Sequence, residues 1–154
     1  MPRAMDRNGA LLLVVAVAGC GGAARAAESD VRMVVDQAAD ESLVDLIAAA
    51  LAADARLELA APLYTTGAMV LANGEVRQLP PRYAGLATGG EVEVSNSQIE
   101  VREGMAWATV AYRWVSRAQG VAREAVATFV LVPAERGGVG WRIHHAHSSS
   151  PPEG

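Results

Sequence analysis

Four long runs of apolar or alternating residues, separated by short glycine-containing turns, occupy most of the second half of this chain. Glu103-Gly104, Gln119-Gly120 and Gly137-Gly138 supply the turns. Because strands joined by such short connections pair with their chain neighbours, the runs predict antiparallel strands. The predicted strands cover residues 91–102, 105–116, 121–132 and 139–148.

The first run changes the face on which its apolar residues fall. Val92 and Val94 occupy even positions, whereas Ile99 and Val101 occupy odd positions. Since strand side chains alternate between two faces, one extra residue is required between the two pairs if all four are to face one core. We predict a β-bulge or bend near Asn96.

Helical spacing precedes these strands. After Asp40-Glu41-Ser42, apolar residues recur at three- and four-residue steps, which predicts an amphipathic helix. Asp45 and Asp54 are expected to lie off its apolar stripe, and Asp54 is expected to cap a second, shorter helix over residues 55–63. The stripe consists of Leu43, Leu46, Ile47, Ala50 and Leu51.

A short hairpin links the helices to the long strands. Residues 68–71 predict a strand, Asn73-Gly74 predicts a tight turn, and residues 75–79 predict a returning strand that Pro80-Pro81 ends. N-terminal helices followed by antiparallel strands define an α+β fold, and 154 residues suit one such domain.

The N-terminus has the layout of a bacterial export signal. Arg3 and Arg7 precede an apolar run at residues 10–18, which is shorter than the roughly 20 residues that a membrane-spanning helix needs. The run ends in Val17-Ala18-Gly19-Cys20, which resembles a lipobox, and in such signals the cysteine is acylated and becomes the mature N-terminus. Ala24-Arg25-Ala26 instead fits the cleavage site of a soluble secreted protein.

These features divide the chain into four parts. Residues 1–19 are predicted to be a signal peptide, with lipidation at Cys20, and residues 20–29 a flexible tether. Residues 30–149 form the folded domain, and residues 150–154 are a predicted disordered tail. We expect a lipoprotein of the bacterial cell envelope, at the outer membrane or facing the periplasm, with a soluble periplasmic or secreted form as the alternative.

The charge balance argues against nucleic acid as a partner. The chain carries 13 Lys and Arg, 17 Asp and Glu, and a net charge of −4, whereas neutralising phosphates requires a basic surface. The single cysteine, Cys20, also rules out a multi-cysteine metal cluster. We expect no cofactor, and contact with a membrane only through the lipid anchor.

All three histidines lie within four residues of the last predicted strand. Alternation places Ile143, His145 and His147 on one face and His144 on the other. The first face begins apolar and ends polar, which is typical of a strand that leaves a core and enters a pocket or rim. His145 and His147 are therefore candidate ligand contacts, with hydrogen bonding at the edge of a pocket or an interface role as the alternatives.

Two further interpretations of the histidine pair depend on partners elsewhere. His145 and His147 have a spacing that suits one metal ion, but a carboxylate such as Glu100 or Glu124 would have to supply the third ligand. One of them could also act as a general base. We predict no metal, and only a weak candidacy for catalysis.

Arg113 and Trp107 are further candidates on one strand. A guanidinium between Tyr112 and Trp114 could bind a carboxylate, or pair with Glu124, or be exposed. Trp107 has the same parity, so an indole wall with an arginine at one end would suit a flat, acidic ligand. Ordinary sheet packing is the alternative for Trp107.

Three parts of the chain together resemble the nuclear-transport-factor-2-like (NTF2-like) superfamily, in particular its SnoaL-like branch. The last part is also similar to the closing strand of the association domain of calmodulin-dependent kinase II. The resemblance covers about residues 31–149. Its segments are Leu51–Ala55 with Leu63–Glu75, Ala108–Trp114, and Gly140–Ser149.

The resemblance implies a cone in which a strongly curved antiparallel sheet wraps around N-terminal helices and encloses a pocket. It adds Tyr64 to the candidate ligand contacts. It also implies homodimers formed sheet to sheet, for which the apolar stretches Met105–Val115 and Ala125–Val132 are suited. Gly67 stands where such families often carry an aspartate in a Leu-Tyr-x-x-Asp pattern, so a candidate proton acceptor is missing.

Members of this superfamily isomerise, cyclise, dehydrate or hydrolyse small molecules, and many others only bind or assemble. We expect a module that binds a small hydrophobic or acidic molecule or that assembles as a homodimer. The alternative is a cofactor-free isomerase, cyclase or dehydratase that uses His145 or His147 as general base.

Overall fold

The computed structural model describes residues 41–134 and 140–152. Helix α1 covers residues 41–55, and a 3-10 turn covers Ala61–Leu63. The signal peptide, the tether and Cys20 lie outside the described residues. Within the described residues, none of the helical structure has the length and apolar character of a membrane span. The strands are β1 Tyr64–Ala72, β2 Glu75–Arg77, β3 Glu91–Arg102, β4 Met105–Ser116, β5 Val121–Pro133 and β6 Trp141–Ser149.

The six strands form one sheet in the order β2-β1-β6-β5-β4-β3. Strands β1 and β6 pair in parallel, and every other neighbouring pair is antiparallel. The four long predicted strands are confirmed as β3 to β6, and the Asn73-Gly74 turn between β1 and β2 is confirmed as well. A helix against a curled six-stranded sheet gives the predicted α+β cone.

Helix α1 lies on the inner face of the sheet because its apolar stripe is buried there. Leu43, Ile47 and Leu51 are fully buried, and each contributes about 1.5–3 kcal/mol by leaving water. Alternate residues of the neighbouring strands β4 and β5 supply the facing side of this core. Those with buried side chains are Ala106, Ala108, Val110, Tyr112 and Trp114 of β4 and Ala125, Ala127, Phe129 and Leu131 of β5.

The predicted bulge in β3 is confirmed. The register with β4 shifts between Val94 and Asn96, so that Ser95 is the extra residue. As a result Val92, Val94, Ile99 and Val101 all pack against the same core despite their different parity. The bulge thus lets one strand keep a single apolar face over twelve residues.

A second bulge, in β6, was not predicted. The register with β5 shifts so that Leu131 pairs with Ile143 but Val130 pairs with His145, which leaves His144 as the extra residue. The prediction that Ile143 shares a face with His145 and His147 is therefore wrong. Beyond the bulge, Ala146 and Ser148 take the inner face and are fully buried.

The predicted second helix over residues 55–63 is also wrong. Helix α1 ends in a Schellman motif, in which Leu57 adopts a left-handed φ of 60° and the Glu58 amide donates to the Ala53 carbonyl at 2.8 Å. Glycine is the usual residue at that left-handed position, so the leucine at position 57 does not mark the end of a helix in the sequence. Pro62 then limits the following segment to a single 3-10 turn.

Candidate functional site

A buried carboxylate organises the end of α1. Asp54 is fully buried and accepts hydrogen bonds from the Arg82 backbone amide, from the Tyr83 backbone amide at 3.0 Å and from Arg82 Nε at 3.1 Å. The Arg82 side chain is only 14% exposed. A buried carboxylate is tolerated when a cation and several donors replace its water, and Asp54 has both.

Each tyrosine of the chain lies beside this ion pair, on the segment that it holds, or in contact with that segment. The hydroxyls of Tyr64 and Tyr83 are hydrogen-bonded at 2.9 Å, and the Arg82 guanidinium carbon lies 4.4 Å from the centroid of the Tyr64 ring. Tyr112 donates its hydroxyl hydrogen to the Ala84 carbonyl at 2.6 Å. We call Asp54, Tyr64, Arg82, Tyr83, Tyr112 and Ser148 the polar core cluster.

Ser148 completes the polar core cluster from the last strand. Its Oγ accepts a hydrogen bond from the Ala84 amide at 2.9 Å and donates to the Leu71 carbonyl at 3.2 Å. The segment at residues 82–84 is thus bound by α1, β4 and β6. Ser150, where the predicted tail begins, donates its amide to Asn73 Oδ1 at 3.1 Å.

The tyrosines of the polar core cluster stay neutral. Burial raises the pKa of Tyr64, of Tyr83 and of Tyr112 above the usual value near 10. At physiological pH each hydroxyl is therefore a hydrogen-bond donor or acceptor and not a phenolate base. The tyrosines therefore help to position a loop and a cation and do not act as phenolate proton acceptors.

Three open clefts border the described domain. The arginine cleft has a volume of about 370 Å³ and is lined by residues 59–61, 64–68 and Arg82. A second cleft of about 640 Å³ lies between residues 83–86 and the C-terminal prolines. A third of about 580 Å³ includes Arg113 between Glu93 and Glu124. Of the predicted contacts, Tyr64 lies at the first cleft and Arg113 at the third.

The two candidate histidines lie on the outer face of the sheet. His147 is exposed and is paired with Thr128 on one side and Leu71 on the other. His145 is half-buried between Val130 and Met69. Neither side chain is brought to the inner face, because the bulge at His144 reverses the alternation.

The metal interpretation fails on distance. Glu100 lies three strands from His145 in the same cross-strand row, which is about 14 Å at ordinary strand spacing. Glu124 lies four residues along β5 from the partner of His147, at a comparable separation. In the described ranges no three His, Cys, Asp or Glu residues come together as metal ligands.

Arg113 and Trp107 share a face but not a site. Both are exposed on the outer face of β4, and six residues separate them, which is about 20 Å along a strand. In register, Arg113 lies between Glu93 and Glu124. Trp107 is 40% exposed and lies between Glu100 and Val130. The indole-and-arginine wall, one of the alternatives that the sequence left open, is not formed.

Sequence reasoning missed the polar core cluster apart from Tyr64. The expectation that Asp54 lies off the apolar stripe is wrong, because it follows Ala50 by four residues and Leu51 by three and is buried with them. A carboxylate in register with an apolar stripe indicates a buried cationic partner. That spacing was the available signal, whereas nothing local marked Arg82 as the partner.

Comparisons with known proteins place the fold. No protein-family model matches the sequence, and no curated protein matches it significantly. An NTF2-like superfamily protein from Salmonella enterica serovar Typhimurium aligns with a TM-score of 0.57 and 15% identity, covering 77% of this chain and 94% of that chain. An NTF2-like protein of unknown function from Shewanella oneidensis aligns with a TM-score of 0.51 and 17% identity, covering 71% and 98%. The chain therefore has the NTF2-like fold that its sequence resembles.

Proposed function

We propose that this chain is an exported, lipid-anchored domain of NTF2-like fold that works as a homodimeric binding and assembly module. The observation that carries the proposal is the outer face of the sheet. There, the pairing of β1, β6, β5 and β4 places their outward residues in rows that cross the sheet. Two neighbouring rows contain no carboxylate and no guanidinium on these four strands. We call these rows the outer patch: Met69, His145, Val130 and Trp107 in one, and Leu71, His147, Thr128 and Thr109 in the other.

The composition of the outer patch favours protein contact over solvent. Met69 and Trp107 are 43% and 40% exposed, and Val126, in the adjoining row, is 47% exposed. Exposed apolar side chains grouped on one face of a sheet favour association, and here threonines and histidines lie between them. The patch also combines an aromatic residue and a methionine, which are enriched in interfaces.

A second copy of the chain is the partner that fits this patch. In an isologous two-fold contact the same surface meets itself, so a patch without net charge is self-complementary, whereas a patch of one sign would repel its copy. The charges lie at the margins. Glu100 continues the Trp107 row onto β3, the row before it contains Arg102 and Arg142, and Arg113 and Glu124 lie two rows beyond Thr109. The chain as a whole carries −4, so a neutral patch is the part of the surface best suited to self-association.

The enzymatic alternative has little support from the geometry. A histidine acting as general base has to reach a substrate within an enclosed site, but His145 and His147 lie on the outer face. Gly67 leaves the neighbouring β1 position without a carboxylate as well. Binding and assembly therefore account for the outer-face histidines better than catalysis does.

Sedimentation velocity tests the dimer directly. At tens of micromolar, the mature protein is expected to sediment as a particle of two chains and to dissociate on dilution. A particle of one chain at every concentration would refute the proposed assembly. The experiment needs no ligand and therefore does not depend on what the module binds.

The anchor has its own test. Cys20→Ala removes the only thiol that could be acylated, so the protein should move from the membrane fraction to the soluble fraction of the host. An Ala24→Glu variant, which disrupts the alternative cleavage site, is the control and should stay with the membrane. Unchanged membrane partitioning of Cys20→Ala would rule out lipidation.

A further inference from the structure

The arginine cleft has the size and lining of a site for a small organic molecule. It lies beside the start of β1 and shares no residue with the outer patch, and its volume of about 370 Å³ falls within the range of small-ligand pockets. Arg82 is the one charged residue among those that line it. The lining residues are Leu59, Ala60, Ala61, Tyr64, Thr65, Thr66, Gly67, Ala68 and Arg82.

The guanidinium of Arg82 is held in a fixed orientation. Its Nε donates to Asp54 at 3.1 Å, and its carbon lies over the Tyr64 ring at 4.4 Å. A guanidinium carries five N–H donors in one plane, so the Nε bond to Asp54 leaves the two terminal nitrogens as a fork, whose N–H groups also reach the Tyr64 hydroxyl. An arginine fixed in this way loses little entropy when a second carboxylate binds.

The strand beside Arg82 adds hydroxyl groups. Strand β1 bulges away from β6, because the register passes from Tyr64 directly to Met69 and the four residues between have no partner. Thr65 and Thr66 lie on this bulge and line the cleft. Thr65 Oγ1 is also hydrogen-bonded to His144 Nδ1 at 3.1 Å, which joins this bulge to the one in β6.

Three further residues that line the cleft are apolar. Leu59 is 72% exposed, and Ala60 and Ala61 lie beside it. A largely exposed leucine next to a fixed guanidinium gives one cationic end and one apolar wall. This combination favours a molecule with an acidic group on a short hydrocarbon body over a compact inorganic anion, which would leave the apolar wall uncovered.

We propose that the arginine cleft binds a small organic carboxylate, with the carboxylate on the Arg82 fork and the hydrocarbon body against Leu59, Ala60 and Ala61. The inference deepens the binding role proposed above by naming its site and ligand class. It does not depend on the dimer, since the cleft and the outer patch share no residue. The two proposals can therefore fail separately.

Hexanoate is a suitable probe for this site. Hexanol, which has the same hydrocarbon chain without the charge, and inorganic phosphate, an anion without a hydrocarbon chain, are the controls. Titration followed by amide NMR should give saturable shifts for hexanoate at residues 59–68 and 82, and much smaller ones for the other two. Equal shifts with hexanoate and hexanol would show an apolar groove only. Equal shifts with hexanoate and phosphate would show a general anion site. Either result, or no saturable shift with hexanoate, would overturn the proposal.

Charge substitutions at Thr66 locate the site without disturbing the buried ion pair. Thr66 is exposed at the cleft, so Thr66→Glu should weaken hexanoate binding about tenfold or more, and Thr66→Lys should strengthen it. Thr88 is an exposed threonine that does not line the cleft, and Thr88→Glu and Thr88→Lys are the matched controls. If the two positions respond alike, the site is wrong.

Discussion

At the residue scale, Asp54 and Arg82 show how one buried pair organises both structure and chemistry. The carboxylate holds two backbone amides and one guanidinium, and so it fixes the loop that carries Arg82 and Tyr83. Their separation of 28 residues explains why no local pattern revealed them. The position of Asp54 on the α1 stripe was visible in the sequence, but its partner could be found only from the fold.

Replacing this carboxylate should cost much of the stability. Asp54→Asn leaves the Arg82 charge without its partner, and breaking a buried pair costs about 3–5 kcal/mol. Urea unfolding followed by circular dichroism measures the change. Glu58→Gln is the matched control, because Glu58 pairs with Arg56 at the exposed surface. This variant should leave the midpoint of the urea unfolding transition nearly unchanged. Similar midpoints for the two variants would mean that Asp54 is not the organising residue.

The three tyrosines predict a particular response to alkali. Their pKa values are raised by burial in the folded state, so the unfolded chain loses phenolic protons first as the pH passes about 10. Stability is therefore unaffected by these groups below about pH 10 and falls above it. Absorbance at the phenolate band should rise only together with unfolding. A rise near pH 10 while the native circular dichroism persists would contradict the burial of the cluster.

At the element scale, the strands could be predicted and the helix ends could not. Period-two alternation over twelve residues is a strong local pattern, and it predicted β3 and the bulge between Val94 and Asn96. The apolar and aromatic run at residues 105–116 predicted β4. The bulge in β6 leaves a weaker trace, since the inward residues after it are Ala146 and Ser148. Small and polar side chains do not show clearly which face of a strand is buried, so the sequence pattern places His145 and His147 on the wrong face of β6.

The connection before β3 depends on close packing against the core. A Cβ added at Gly90 would overlap the indole ring of Trp114, whose Nε1 is buried without a hydrogen-bond partner among the described residues. Gly90→Ala should therefore lower the free energy of unfolding, by an amount near the upper end of about 1–3 kcal/mol. It should also alter the near-ultraviolet circular dichroism, which reports the surroundings of Trp114.

Gly67→Ala provides the comparison for that variant. Gly67 has open space around it but a φ of 78°, so its cost is backbone strain alone, about 1 kcal/mol, with no change around Trp114. Equal effects on unfolding and on the near-ultraviolet spectrum would mean that Gly90 does not pack against the indole.

At the scale of the whole molecule, the two faces of the sheet differ in what they contact. The inner face is filled by α1 and by the large side chains of β4 and β5, with the polar core cluster at one end. The outer face carries a neutral patch that has no partner within the described chain. The NTF2-like fold could be predicted from three segments, whereas the function could not, because the same cone supports catalysis, binding and assembly.

A single charge placed on one or the other face of β5 tests whether the outer patch is the dimer interface. Val126 adjoins the outer patch and is 47% exposed, while Val121 is 40% exposed at the start of β5 and has the opposite parity. Val126→Glu would bury two unpaired carboxylates in a two-fold contact, so sedimentation velocity should give monomers at tens of micromolar. Val121→Glu should remain dimeric. If Val126→Glu stays dimeric, or if both variants dissociate equally, the outer patch is not the interface.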